Sequence, residues 1–136
     1  PLCGYSQVIA LKVTAEIALR KADSEAALIA LQEMKRYGVP FGAMFDIEYR
    51  EALARAYRMA NRLEDAAEVH REMVRLYGGH ALSHYDLGSI YEEMGRPADA
   101  AQAYTTFLDA WARADDGLPQ VEDAKDRLAA LRQTIR

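Results

Sequence analysis

Apolar residues recur along this chain every three to four positions, the period of a helix with one buried face. The tail shows it plainly: Val121, Ala124, Leu128, Leu131 and Ile135 share one side, and Glu122, Asp123, Lys125, Asp126 and Arg132 cover the rest. No stretch alternates apolar and polar residues long enough for a half-buried strand. Helix breakers punctuate the pattern: Gly38 with Pro40, Asn61, Gly78-Gly79, Gly95 with Pro97, and Gly117 with Pro119. Glycine and asparagine tolerate the left-handed conformation that ends helices, and proline suits a first turn. The pattern predicts helices over 5–20, 23–37, 46–60, 62–77, 81–94, 97–113 and 119–134, with Asp46 as N-cap of a helix beginning near Ile47. The fold class is all-α: six helices in three hairpins and a seventh trailing.

An internal repeat organises these helices. At a spacing of 34 residues, Leu53 meets Leu87, Tyr57 meets Tyr91, Arg62 meets Arg96, and Asp65-Ala66-Ala67 meets Asp99-Ala100-Ala101. Ala54 with Gly88, Asn61 with Gly95, His70 with Tyr104 and Met73 with Phe107 agree in kind. Small Ala54 and Gly88 predict close approach of the partner helix, with Tyr57 and Tyr91 filling space one turn later. A looser copy precedes them. Asp23 to Ala27 resembles Leu63 to Ala67 at an offset of 40, and Gln32 to Arg36 resembles Arg71 to Arg75 at 39. The drift places extra residues in a long connection, 38–45.

These residues resemble the tetratricopeptide-repeat family, whose unit is a 34-residue helical hairpin. Residues 81–114 carry the resemblance best, through Leu87, Gly88, Tyr91, Gly95, Ala100 and Tyr104; residues 47–80 carry a weaker copy, through Leu53, Ala54, Tyr57, Ala66 and His70. Arg50 and His84 replace the family's early tryptophan, and Gly78 and Ala112 its closing proline. The resemblance implies one domain over 1–136: a solenoid of a degenerate first hairpin (5–37), the connection, two repeats, and a capping helix over 119–134. A solenoid needs such a helix, dry on one face and wet on the other; the alternative is that its apolar stripe docks another chain. The run from Phe107 to Pro119 also resembles the terminal repeat of helical modules in multidomain bacterial signalling proteins, including serine/threonine kinases. It brings no catalytic residue with it.

Composition narrows the function. The 136 residues are 51% hydrophobic and 28% charged, an ordinary folded composition. Seventeen Lys and Arg against twenty-one Asp and Glu leave a net charge of −4, which repels phosphate and argues against nucleic acid. Tyr57, Tyr91 and Tyr104 fall at internal packing positions of the repeat, not on a base-stacking surface. Cys3 is the single cysteine, so an intrachain disulfide and a cysteine metal cluster are excluded, and a reducing, cytoplasmic setting is expected, with the periplasm left open. Ala26 to Leu31 is the longest apolar run, too short to span a bilayer, and no signal core is visible. The chain opens with Pro1, which predicts a piece of a longer protein.

The chemistry is sparse. His80 and His84 stand four apart, but no third ligand completes a metal site, and His84 and His70 occupy packing positions of the repeat. Gly78-Gly79 lacks the lysine and hydroxyl residue of a phosphate loop. Ser83, His84 and Asp86 are adjacent in sequence, which is not triad geometry. No catalytic residue, metal or cofactor is expected, and the chain is read as a non-enzyme.

What remains is recognition of a protein or peptide. The resemblance implies a concave groove lined by the first helix of each hairpin. The helical period puts Glu48, Glu51, Arg55, Arg58 and Met59 there in the second hairpin, and Leu82, Tyr85, Ser89, Glu92 and Glu93 in the third. The first offers Val8, Leu11 and Ala15. These charges either bind a partner or only solvate an outward face. The lysine–asparagine clamp that some relatives use for acidic tails is missing. The apolar connection 39–45 either seals the first hairpin or forms an interaction patch. Two functions follow: a scaffold module binding a peptide or partner domain in its groove, or an oligomerisation or regulatory segment of a larger bacterial signalling enzyme. The second would dimerise through the first hairpin.

Overall fold

The computed structural model describes residues 2–38, 42–78, 80–112 and 118–135. Expectations placed on Val39, Pro40, Phe41, Gly79, Gly117 and the Cys3 side chain lie outside the described residues. Among those described there are seven helices and no strand: α1 (Leu2–Arg20), α2 (Ser24–Arg36), α3 (Gly42–Met59), α4 (Leu63–Leu76), α5 (Ala81–Glu93), α6 (Pro97–Ala110) and α7 (Pro119–Ile135). None is long and apolar enough to cross a membrane.

One turn geometry recurs three times. Asn61 and Gly95 both take positive φ, 55° and 69°. Around them the Arg62 and Arg96 amides donate to the Tyr57 and Tyr91 carbonyls, each at 2.8 Å, and the Asn61 and Gly95 amides donate to Arg58 and Glu92, each at 3.0 Å. This paired closure satisfies carbonyls that a helix end leaves open. Side chains repeat it too: Arg62 and Arg96 lie over the Tyr57 and Tyr91 rings at 4.6 and 4.9 Å, and donate to Asp65 and Asp99 at 2.7 and 2.8 Å. Ala22, with φ of 59°, makes the same turn between α1 and α2: Asp23 donates to Ala18 at 2.9 Å and Ala22 to Leu19 at 3.2 Å. Here Asp23 also caps α2 by accepting from the Ala26 amide at 3.0 Å.

The turns fix the register that residue matching left loose. Ala22 corresponds to Asn61 at 39, so the offset of 40 for the Asp23 segment is corrected to 39. The five extra residues are not a loop. α3 has 18 residues against 13 in α5, five more, and the turn spacing grows by the same five, from 34 to 39. Residues 42–45, expected in the connection, are therefore helix, and Phe45 packs on the core. Asp46 is not an N-cap: it lies inside α3, where its carboxylate accepts from Arg50 Nε one turn on, at 2.6 Å.

The chain packs as two compact units, Pro1–Val69 and His70–Arg136, and the division falls within α4. In the first, α1 lies along α2, and α3 packs on both. Val8, Ala15, Ala18 and Leu19 meet Ala27, Ala30, Leu31 and Met34, with Ala52 and Ala56 of α3 closing the core. In the second, α5 packs on α6 and α6 on α7. Gly88 is required there. A Cβ on it would stand 2.6 Å from Tyr104 Cε1, and Tyr104 is wholly buried, so the two helices approach as closely as the repeat predicted. Val121, Ala124, Leu128 and Leu131 bury the predicted face of α7 against Ala100, Tyr104 and Phe107, while Ile135 stays exposed.

Candidate functional site

A concavity lies in the first unit, between α1 and α3. It is a cleft of about 300 Å³. Its floor is apolar, from Ala15, Leu31, Met34 and Ala52, and Phe45 and Tyr49 wall it on the α3 side. Small alanines at positions 15 and 52 leave the depth between the helices that larger side chains would fill. Burial raises the Tyr49 phenol above its ordinary pKa, moving it further from ionisation.

The rim is charged in alternating sense. Lys12 pairs with Glu48, and Glu16 with Arg55 at 3.7 Å, both from α1 to α3. Lys12 Nζ also lies 5.1 Å from the centre of the Phe45 ring. Glu51 and Arg20 line the same cleft, and among the described residues neither makes an ion pair. These pairs are half exposed, so each contributes little stability, of order 0–1 kcal/mol. Their effect is to orient long side chains above an apolar floor.

Of the groove residues expected on α3, the cleft brings together Glu48, Glu51 and Arg55; Arg58 and Met59 lie beyond its lining. The α1 face needs correction. Val8 and Ala15 are buried and Leu11 packs on the core, so only Ala15 reaches the cleft, as floor. The α1 contribution is Lys12, Glu16 and Arg20, a charged row at four-residue spacing that helical periodicity could have found. Phe45 was hidden by its reading as a loop residue.

On α5, side-chain hydrogen bonds engage two of the residues expected in the groove. Tyr85 donates to Asp123 at 2.7 Å, Tyr104 donates to Glu92 at 2.7 Å, and Arg127 donates to both carboxylates, at 2.6 and 3.1 Å. Tyr85 and Glu92 are thus engaged by α7 and its network. Leu82 and Glu93 are exposed, and Ser89 is half-buried. Burial, then the Asp123 hydrogen bond, pushes the Tyr85 phenol up to about 12. The Tyr85 hydroxyl, and after it Arg127, holds the Asp123 carboxyl below its usual range despite some desolvation.

No family model and no curated protein matches this chain.

His70 is buried, and both it and His80 turn Nδ1 toward the buried Ser83 hydroxyl, at 3.4 and 2.9 Å. Ser83 donates in turn to Met73 Sδ at 3.9 Å. Burial lowers the His84 pKa. Among the described residues no three His, Cys, Asp or Glu side chains converge as metal ligands.

Proposed function

We propose that this chain is a non-catalytic, tetratricopeptide-repeat-like interaction module that holds an extended peptide in the α1–α3 cleft. The observation that carries the reading is the cleft itself, with its apolar floor, paired charges along the rim, and Glu51 and Arg20 left unpaired. The repeated turns at 39 and 34 residues, with matching burial of Ala66 and Ala100 and of Met73 and Phe107, support the family resemblance. A ligand fitting the site would place an apolar side chain on Ala15 and Ala52, a cation near Glu51 and a carboxylate near Arg20. Displaced rim pairs would be exchanged for pairs to the ligand at small net cost.

The test is selection of a phage-displayed random peptide library on the immobilised chain, followed by fluorescence anisotropy of the enriched peptides. Glu51→Lys and Arg20→Glu are the discriminating variants, because both change rim charges that hold no internal ion pair. Each is expected to weaken the selected peptides about tenfold, about 1.4 kcal/mol. Peptides that bind both variants as tightly as the parent would place recognition elsewhere.

A further inference from the structure

We propose that α1 is the contact surface of a homodimer, in which two copies pack their α1 helices antiparallel about Val13. This stands apart from the cleft reading: of the apolar residues involved, none lines the cleft.

Tyr5, Ile9, Val13 and Ile17 repeat every four residues along one side of α1, and each is between 39% and 54% exposed. Together with Lys12, Glu16 and Arg20, the last three of them border a shallow concavity along that side. A continuous apolar stripe on one helix is a different matter from scattered surface hydrophobics. The turn register says what this side of such a helix does. At an offset of 39, Val13 and Ile17 correspond to Ala52 and Ala56 of α3, which are 6% and 0% exposed because α3 packs them into the core of the α1–α2 hairpin. On α1 the same side carries the larger Val13 and Ile17, which are about half exposed.

Charge selects a second copy, and selects antiparallel packing. A two-fold axis at Val13 sets Ile9 against Ile17 of the second copy and Tyr5 beside its Lys21, an apolar ring under a cation. Along the edge of the stripe, Lys12 then falls within one turn of Glu16 of the second copy. Both residues already pair with α3 in their own copy, so each contact joins two ion pairs into a four-charge cluster. Parallel packing would instead carry the two Lys12–Glu16 edges to opposite sides of the seam, where neither meets its opposite charge.

Size sets the strength. Overlapping over residues 5–21, the two helices share a face about 25 Å long and 10 Å wide, roughly 250 Å² per copy, against about 800 Å² per partner in a standard interface. The dimer is therefore weak and reversible.

Sedimentation equilibrium on the whole chain, from about 5 µM to about 500 µM, tests this. The expected mass rises from 15.2 kDa toward twice that value. Val13→Glu, at a half-exposed position, is expected to hold it at the monomer with the helical circular dichroism unchanged. In a Cys3→Ser background, a short bis-maleimide is expected to cross-link the Val13→Cys variant and not the Ile29→Cys variant, although Ile29 is 61% exposed. A monomer at every concentration overturns the proposal, as would occupation of the stripe only by a helical segment from another protein. A dimer indifferent to Val13→Glu, or cross-linking equal at the two cysteines, also overturns it.

Discussion

Gly88 and Tyr104 form the tightest dependency at the scale of single residues. A methyl group at position 88 needs the space that the ring fills, and the ring cannot swing away freely because its hydroxyl is held by Glu92. Gly88→Ala is expected to cost about 1–3 kcal/mol, in the range of overpacked cores, read as a fall in the thermal midpoint. Tyr85 offers a second residue-scale test, through pH. Its folded pKa, about 12, lies above the ordinary 10, so the neutral phenol is favoured by folding. That contribution is complete below pH 10 and is lost as the pH rises through 12. Tyr85→Phe should flatten the alkaline arm of a stability–pH curve followed by urea unfolding. Asp123 has the opposite sense: its depressed pKa stabilises above the ordinary aspartate range and is lost as the medium becomes strongly acid.

Among helices and turns, the αL position is the informative one. Gly95 takes it at no steric cost, Asn61 at little, and Ala22 at the cost of a Cβ crowded against its own backbone. Ala22→Gly is therefore expected to stabilise the chain by about 1 kcal/mol, and Gly95→Ala to destabilise it by a similar amount, both by thermal melts. The seven helices were legible because apolar periodicity and breakers agreed on them. The start of α3 was not. An aspartate before an apolar run signals an N-cap, but Asp46 stands one turn before Arg50 and serves as its ion-pair partner instead. Periodicity also could not choose a face for α1, which is apolar on two sides, with Val8, Ala15 and Leu19 inward and Ile9, Val13 and Ile17 outward. On α3, where charge marks one side, the cleft residues Glu48, Glu51 and Arg55 were readable in advance.

For the whole molecule, its two units rest on different interactions. The first is held by alanine-rich apolar packing, and the second adds the tyrosine–carboxylate–arginine network that fastens α7. Arg127→Ala leaves Asp123 and Glu92 without their shared cation. It is expected to speed amide exchange in α5 and α7 while residues 2–69 exchange as before, by hydrogen exchange with mass spectrometry. The half-exposed guanidinium makes the effect modest, about 1 kcal/mol.

The five added residues of α3 change what such a chain can vary. Most binding proteins alter their sites through loops, which are soft and take many shapes. Here the added length is about 1.4 turns of helix, which advances the chain by about 7.5 Å along its axis and turns it through about 500°. It delivers Phe45 as a stiff wall beside Lys12. A chain that tunes its cleft in this way can change ligand length only in helical steps. Removing residues one at a time would rotate the wall out of the site before it shortened it, and only excisions near a whole number of turns would leave a usable cleft behind.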